Sequence, residues 1–283
     1  MNNLSDISTI KTILGRYGFQ FQKSLGQNFL IDDSVCPRMA QLSGAGKDTG
    51  IIEIGPGIGV LSKELSLLAE KVVAIELDKR LLPVLSETLS DCENFEVING
   101  DILKIDLNRL ITEKFSGLKV LICANLPYYI TSPVIMKILE ERLPIQSLTV
   151  MVQKEAAERI CAKPGTRACG AVSASVSYYS QPEILFQVPR DSFFPAPNVD
   201  SAVIRLTIRE TPPVNITDEK QFFRLIRAAF GQRRKTALNA ISAGLSMEKN
   251  TVSKAMEEAG IPLNFRAEQF TLENFAALSC ILF

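Results

Sequence analysis

Histidine is absent from the 283-residue sequence, and this absence excludes more chemistry than any other feature of the composition. Without histidine there is no histidine general base, no Ser-His-Asp triad and no histidine metal ligand. The six cysteines are scattered and contain no C-x-x-C pair, so neither a disulfide framework nor a cysteine zinc site is predicted. We therefore expect reduced thiols and no bound metal.

Net charge and long apolar runs are also missing. The 31 Lys and Arg residues balance 31 Asp and Glu residues, so any basic surface for nucleic acid has to be local. The N-terminus has no cationic start followed by an apolar block, which argues against a signal peptide. No apolar run approaches the ~18–20 residues that a membrane-spanning helix needs. We expect a cytoplasmic protein that does not enter membranes.

Short apolar runs alternate with helical patterns from about residue 50 onward. GIIEIG, KVVAIEL, FEVING and KVLICAN read as buried strands, and segments such as VLSKELSLLAE between them have helical periodicity. Strands that alternate with helices indicate an α/β fold with a mostly parallel, doubly wound sheet. Only a proline-rich loop separates the later runs EILFQV and SAVIRLTI, which predicts an antiparallel hairpin that closes the sheet.

The pattern changes around the pair Pro212-Pro213, which is typical of a linker. From Lys220 to the C-terminus, strand-like runs are absent and apolar residues recur at helical spacing. We therefore predict two domains. An α/β domain with an N-terminal helical extension is expected over residues 1–210, and a small all-helical domain over residues 211–283.

A glycine-rich turn follows the first strand-like run, in the segment IIEIGPGIGVLSKEL. Glycines at positions 55, 57 and 59 permit a tight turn and the close approach of a ligand to the main chain. A dinucleotide fingerprint would need glycine at position 60, which is Val60. Glu53 would repel a pyrophosphate but suits a ligand with ammonium and sulfonium charges, such as S-adenosylmethionine. The alternative is that these glycines only allow strand and helix to pack closely.

Acidic residues also follow the next two strand-like runs. Glu76 lies 21 residues after Gly55, near the offset of roughly 20 at which an acid binds ribose hydroxyls in such folds. Asp101 follows the third run, where its carboxylate can accept a hydrogen bond from an adenine amino group. Because ligands of open α/β sheets bind at the carboxyl ends of strands, we expect these groups to share one site. Each acid alone would equally fit a solvated loop.

The fourth strand-like run leads into NLPYYITSP. The Asn125 side chain and the Leu126 carbonyl can accept the two hydrogen bonds of an exocyclic amine, which directs its lone pair at a methyl donor. Tyr128 can stack on the base, a contact worth roughly 1–3 kcal/mol in single-strand recognition. Such chemistry depends on positioning more than on a strong base, in keeping with the missing histidine. The alternative is a turn with packed tyrosines. For Tyr129 we expect packing, with a second base contact as the other role left open.

Together these segments resemble the ribosomal RNA adenine N6-dimethyltransferase family. The resemblance covers essentially the whole chain and rests on KSLGQNFLID, EIGPGIGVLS, AIELD, GDIL, NLPYYITSPVI, FFPAPNVDSAVIRL and AFGQRRKTALNA. It implies a Rossmann-like enzyme that uses S-adenosylmethionine to methylate two adjacent adenosines near the 3′ end of small-subunit rRNA. The positions that it implies for cofactor contact are Asn28, Leu30, Gly55, Glu76, Asp101 and Asn125.

The segment FFPAPNVDS gains a role from this resemblance, because the family uses the region near the target base. Either Phe193 or Phe194, on a proline-rich loop, is therefore expected to stack opposite Tyr128. Each ring would equally serve as a buried anchor of the loop.

A cationic stretch lies in the predicted helical domain. Between Lys220 and Ala243 there are six cations and no acid, and GQRRK is the densest cluster. Arg233, Arg234 and Lys235 are therefore predicted to contact RNA phosphates. The alternative is a solvated helix face.

Three functions stay open at this point. The leading hypothesis is N6,N6-dimethylation of 16S rRNA by a monomeric enzyme, with the immature 30S subunit as its partner. The first alternative is a related enzyme that dimethylates one adenosine of large-subunit rRNA and confers macrolide resistance. Pro133 and the helical tail with GQRRKTALNA favour the small-subunit type. The second alternative is a ribosome-assembly factor in which catalysis is secondary.

Overall fold

The computed structural model describes residues 4–19 and 28–283. In these ranges the strands are β1 Phe29–Leu30, β2 Thr49–Ile54, β3 Lys71–Glu76, β4 Phe95–Asn99, β5 Lys119–Asn125, β6 Ser147–Gln153, β7 Ser180–Val188, β8 Phe193–Phe194 and β9 Ser201–Ile208. The α-helices are α1 Ile7–Arg16, α2 Val35–Leu42, α3 Val60–Leu68, α4 Leu82–Thr88, α5 Leu107–Lys114, α6 Thr131–Glu140, α7 Lys154–Ile160, α8 Ala171–Tyr179, α9 Glu219–Phe230, α10 Ala237–Leu245, α11 Lys249–Glu258 and α12 Leu272–Leu282.

Seven strands form the main sheet, in the order β4-β3-β2-β5-β6-β9-β7. The five strands from β2 to β6 pair in parallel with their neighbours, whereas β9 runs antiparallel to β6. The predicted α/β fold with a mostly parallel, doubly wound sheet is therefore confirmed. The chain proceeds outward from β2 to one side through β3 and β4, then to the other side through β5 and β6. This reversal leaves a crevice at the carboxyl ends of β2 and β5, where such folds bind ligands.

The central strands are apolar because both faces of the sheet are covered. All six residues of β2 are buried, and only the first residue of β3 has intermediate exposure. On one face α2 and α3 contribute Met39 and Leu65 to a core that also contains Ile51, Leu121 and Val203. The strands therefore have a fixed register, which fixes where each of them ends.

The N-terminal helix α1 stabilises the turn that follows β2. Its buried residues Ile10, Ile13 and Leu14 pack in one cluster with Ile58 of the glycine turn and with Leu81. The helix begins at an Asp6 cap, whose carboxylate accepts a hydrogen bond from the Thr9 N–H at 2.8 Å. The helical extension expected from the sequence thus contacts the predicted ligand-binding turn directly.

The chain divides into two compact units. The first comprises Met1–Ala157 and Glu183–Ile208, and the second comprises Glu158–Pro182 and Arg209–Phe283. The division into domains at residues 210 and 211 stays a prediction. It placed the segment 158–182 in the first domain, whereas this segment belongs to the second compact unit. Packing explains the assignment, because the Tyr179 ring stacks on Phe223 at 5.3 Å between centroids and its hydroxyl donates to Glu219 at 2.9 Å.

The second unit is helical, as expected for the C-terminal part, but one predicted helix is interrupted. The stretch from Lys220 to Leu245 reads as continuous in the sequence, whereas the structure ends α9 at Phe230 and begins α10 at Ala237. Thr236 caps α10 by accepting a hydrogen bond from the Asn239 N–H, and Gly231 follows α9. GQRRK therefore lies in the turn between two helices.

Across the described ranges of both units, no helix combines the length and apolar character that crossing a membrane requires.

Gly244 permits close packing of α10 against α9 and supplies a test of the second unit. A Cβ at this position would lie 2.7 Å from the Ala228 Cβ and 2.9 Å from its Cα. We expect Gly244→Ala to lower the free energy of unfolding by roughly 1–3 kcal/mol, measured by chemical denaturation. Gly15→Ala in α1 is the control, because no described atom lies within 4 Å of its Cβ position. Unchanged stability of Gly244→Ala would contradict the packing.

Candidate active site

A cavity of about 290 Å³ opens at the carboxyl ends of the parallel strands. Its walls come from β1, the turn after β2, the ends of β3 and β5, the loop after β4 and the short 3-10 helix Tyr128–Ile130. The residues predicted from the sequence that line it are Asn28, Leu30, Gly55, Glu76, Asp101, Asn125, Leu126, Tyr128 and Phe193. The predicted cofactor-binding and catalytic residues are therefore brought together in one place, and all of them belong to the first unit. The part of the GQNFL motif at residues 26 and 27 lies outside the described residues.

The turn after β2 needs glycine for its backbone conformation. Gly55 and Gly57 have φ values of 69° and 61°, in the left-handed region that other residues rarely adopt. The Gly55 N–H donates to the Ile75 carbonyl at 2.9 Å, which ties the turn to β3. A Cβ on Gly55 would meet no described atom within 4 Å, so the main chain there borders open space. A ligand can therefore approach the backbone closely.

The charged residues among the described lining of the cavity are all acids. They are Glu53, Glu76 and Asp101, and no described lysine or arginine lines the cavity. A cationic ligand group favours the charged form of a carboxyl group beside it, and this interaction is strong where water is excluded. The cavity therefore favours a ligand that carries positive charge.

Glu53 is the most deeply buried of the three acids, with an exposed fraction of 1%. Its Oε2 atom has no hydrogen-bond partner among the described residues. Burial raises the pKa of Glu53 to about 8, although Ser62 acts in the opposite direction, and the nearby charge of Glu76 adds a smaller increase. A buried carboxyl oxygen without a partner is costly for the fold, so its presence on a cavity wall points to a ligand group that pairs with it.

Glu76 and Asp101 are oriented by backbone hydrogen bonds. The Asp78 N–H donates to Glu76 Oε1 at 2.7 Å, and the Leu103 N–H donates to Asp101 Oδ1 at 3.0 Å. Burial raises the pKa of Glu76 to about 7, although the hydrogen bond from Asp78 acts in the opposite direction. Both side chains are thus held in place at the ends of adjacent strands.

The NLPYY segment continues directly from β5 into the cavity wall. Asn125 is the last residue of β5 and pairs with Met151 of β6, and the Leu126 N–H donates to the Met151 carbonyl at 3.1 Å. Leu126 is buried, whereas Tyr128 is partly exposed. Tyr129 lines the cavity with 55% of its surface exposed, so it is not packed as expected, and the second base contact stays a prediction for it.

The two phenylalanines of FFPAP occupy different environments. The sequence placed both on a loop, but they form β8, which pairs with β1 so that Phe193 lies opposite Leu30. Phe193 is 3% exposed, lines the cavity and belongs to the core beneath it. Phe194 does not line the cavity, and the Lys11 Nζ lies 5.0 Å from its ring centroid. Of the two rings, Phe193 is therefore the one that reaches the site.

The six cations of the stretch from Lys220 to Ala243 are all exposed. Arg233, Arg234 and Lys235 lie exposed in the turn between α9 and α10 and do not line the cavity. The other three cations of the stretch, Lys220, Arg224 and Arg227, share one exposed face of α9. The Arg233 guanidinium donates to the Arg167 carbonyl at 2.5 Å, which brings a further cation to this turn. Sequence reasoning missed Arg167, because the segment that contains it is remote along the chain.

Metal ligation has no basis in the described residues, since no group of three or more Cys, Asp or Glu residues there could hold an ion. The cavity instead combines an acidic wall, a glycine turn and an amide beside an aromatic ring. Such a set can bind a cationic nucleoside and orient an amine next to it.

Comparison with known proteins decides the family. A sequence profile described as Ribosomal RNA adenine dimethylase matches residues 18–282. The chain belongs to this family. Two relatives of this ribosomal RNA adenine dimethylase are both named Ribosomal RNA small subunit methyltransferase A. The one from Geobacillus thermodenitrificans is 50% identical over 281 residues, covering 97% of this chain and 96% of its own. The one from Alkaliphilus oremlandii is 48% identical over 280 residues, covering 99% of this chain and 98% of its own.

Solved structures confirm that the dimethylase has a Rossmann-like methyltransferase fold. A dimethyladenosine transferase from Plasmodium falciparum matches with a TM-score of 0.74 and 24% identity, over 88% of this chain and 95% of the other. The 23S rRNA methyltransferase ErmE matches with a TM-score of 0.68 and 26% identity, over 90% of this chain and 99% of the other.

The burial of Glu53 predicts how the stability of the dimethylase without ligand depends on pH. The folded-state pKa of about 8 lies above the ordinary value of about 4.3, so the neutral carboxyl favours the folded state. This contribution is complete below about pH 4.3 and is lost as the pH rises through about 8. We expect Glu53→Gln to be stabilised relative to wild type at pH 8 but not at pH 5. Chemical denaturation at the two pH values measures this, and an equal difference at both would contradict the burial argument.

Proposed function

We propose that the protein transfers methyl groups from S-adenosylmethionine to N6 of two adjacent adenosines near the 3′ end of 16S rRNA. The products are N6,N6-dimethyladenosines, formed during maturation of the 30S subunit. The observation that carries this proposal is the position of Asn125, Leu126 and Tyr128 in the same cavity as three acids and a glycine turn. Family membership and the names of the relatives support it.

The chemistry of the cavity fits S-adenosylmethionine. When bound, this cofactor supplies an activated methyl group. The Glu53 Oε2 atom, which has no hydrogen-bond partner among the described residues, suits its cationic groups, and the open backbone at Gly55 permits close contact with the main chain. Glu76 would accept hydrogen bonds from ribose hydroxyls, and Asp101 from the adenine amino group.

Three further residues complete the proposed cofactor site. Asn28 and Leu30 line the cavity beside the turn, and Leu30 is fixed there by pairing with Phe193. Asn125, at the end of β5, lies where the cofactor and the target amine would meet. This amide would therefore contact both.

The target amine is oriented by two oxygen atoms. The Asn125 side-chain oxygen and the Leu126 carbonyl would accept its two N–H groups, which draws the nitrogen lone pair out of conjugation with the ring. Leu126 is fixed for this role by its hydrogen bond to Met151 of β6. No strong base is required, because alignment removes much of the barrier to transfer. In each transfer the N6–methyl bond would form as the methyl–sulfur bond breaks, and the methylated nitrogen would then lose one proton to water. After the first transfer the amine has one N–H left, and exchange of the spent cofactor and rotation about the bond to the ring present the lone pair to a second methyl group.

The adenine ring would stack on Tyr128, with Phe193 available at the other side of the cavity. Tyr128 is partly exposed and Phe193 is almost fully buried, so the first ring is accessible to a base and the second forms a wall. Phe194, which lies outside the cavity beside Lys11, is proposed to contact the RNA next to the target base.

The exposed cations of the stretch from Lys220 to Ala243 are proposed to bind rRNA phosphates. The stretch of the second unit from Lys220 to Ala243 has six cations and no acid, although the whole chain has no net charge. Such a local excess is the expected signature of a nucleic-acid contact in a neutral protein. Arg233, Arg234 and Lys235 lie in an exposed turn, where they can reach a backbone without losing helix contacts.

The small-subunit substrate is favoured over the alternatives by the comparisons. The relatives at 48–50% identity have the small-subunit name, whereas the 23S rRNA enzyme is 26% identical.

We propose a monomeric enzyme that acts in the cytoplasm, where its ribosomal substrate lies. If the protein is mainly an assembly factor, a strain that carries an inactive variant still able to bind RNA would grow differently from a deletion strain.

The central test replaces Asn125. We expect Asn125→Ala to reduce methyl transfer by roughly 100-fold or more, because the amine loses one of its two orienting acceptors. Cofactor affinity, measured by calorimetry, should stay within several-fold of wild type. The assay is mass spectrometry of rRNA after incubation of immature small subunits with labelled cofactor. Asn108→Ala, an exposed asparagine on α5, is the control, and an active Asn125→Ala enzyme would exclude the positioning role.

The RNA-binding turn is tested by replacing Arg233, Arg234 and Lys235 with alanine. Each lost phosphate contact should reduce the slope of log affinity against log salt concentration by roughly 0.7–0.9. We expect weaker binding of small-subunit particles and a lower salt dependence, with cofactor affinity unchanged. The matched control replaces Lys249 and Lys254, two exposed lysines on α11 of the same unit. Equal losses per removed charge in both variants would indicate a general charge effect and contradict a specific contact.

A further inference from the structure

The antiparallel strand β9 brings its first residue to the edge of the sheet where the cavity lies. Ser201 pairs with Gln153, the last residue of β6, so the start of β9 lies beside the carboxyl ends of the parallel strands. Side chains alternate along a strand, so Ser201 lies on the same face as Val203, which packs in the core with Phe193. Ser201 itself has no exposed surface.

A buried serine hydroxyl requires a hydrogen-bond partner, because an unsatisfied one costs free energy. Here the partner is the catalytic-site tyrosine. The Ser201 Oγ and the Tyr128 hydroxyl lie 2.8 Å apart and share a hydrogen bond across 73 residues of sequence. The two residues thus connect β9 with the NLPYY segment.

This hydrogen bond fixes the Tyr128 ring at its far end. The ring turns about two side-chain torsions, and anchoring its hydroxyl removes most of that freedom. The same segment is held at its other end by the hydrogen bond from the Leu126 N–H to Met151. Burial raises the pKa of Tyr128, so the phenol keeps its proton and remains a hydrogen-bonding group. The turn is therefore attached to two different strands, by its backbone at Leu126 and by its side chain at Tyr128.

We propose that Ser201 is a positioning residue for methyl transfer, which holds the Tyr128 ring at the angle at which the target base stacks next to Asn125. The inference rests on the proposed function, since it concerns the ring that is proposed to carry the adenine. Ser201 does not touch the substrate. Its effect passes through Tyr128, and it should influence turnover more than the binding of RNA or cofactor, because a base that is bound at the wrong angle is not aligned for transfer.

The test is a double-mutant cycle of Ser201→Ala and Tyr128→Phe in the full-length protein, with immature small subunits as substrate. Each single variant removes the same hydrogen bond and leaves an aromatic ring at position 128. We expect each to lower kcat by roughly three- to tenfold, with KM for the particle and cofactor affinity within twofold of wild type. The double variant should be no slower than the slower single variant. Ser201→Thr, which keeps the hydroxyl, should recover most of the turnover.

Ser180→Ala is the matched control. Ser180 also begins a strand and has no exposed surface, but its hydroxyl donates to the Val176 backbone carbonyl. Its kcat should equal that of wild type. Turnover within twofold of wild type in Tyr128→Phe, or additive losses in the cycle, would overturn the proposal even if Ser201→Ala folded poorly. If wild type itself did not methylate the particles, the proposed function would fail instead, so the two failures are distinguishable.

Discussion

The parallel pairing of β2 with both β3 and β5 is the constraint on which the rest of the site depends. Strands that run in one direction must all end at one edge, so residues 20 to 70 positions apart in sequence become neighbours there. The order of the sheet reverses at β2, which opens the crevice at that edge. Apart from Asn28 and Leu30, which lie before and in β1, the groups proposed to handle the cofactor or the amine lie at the end of such a strand or in the loop that follows it. Loops can vary in such a fold, whereas the strand ends cannot move without loss of register.

The acidic wall shows how function and stability oppose each other in this cavity. Glu53 and Glu76 both have raised pKa values because they are buried, which means that the unliganded fold bears the cost of desolvating them. An apolar pair at these positions would suit the core better. Their retention is understandable if a cationic ligand normally neutralises them, in which case binding the ligand also relieves the fold.

Much of this organisation could be predicted from local sequence. The alternation of apolar runs and helical segments gave the sheet type, and the acids Glu76 and Asp101 were located because they directly follow strand-like runs. Contacts between distant segments could not be predicted. The pairing of β8 with β1, which separates Phe193 from Phe194, joins positions more than 160 residues apart. Three other contacts also join segments that are distant in sequence. They are the Ser201 hydrogen bond to Tyr128, the packing of segment 158–182 with α9, and the approach of Arg167 to Arg233. The exposure of Tyr129 could not be predicted either, because an aromatic residue in a turn gives no signal of which side faces solvent.

Phe193 has a consequence for how this protein can change over time. Its ring belongs at once to the core that holds α2 and α3 on the sheet and to the wall of the cavity. Substitutions that merely repack this core therefore alter the shape presented to the target base. Evolution therefore cannot change the stability of the fold at this wall without also changing the shape of the cavity. Substitutions that adapt the protein to another temperature would be expected to alter the active site as well.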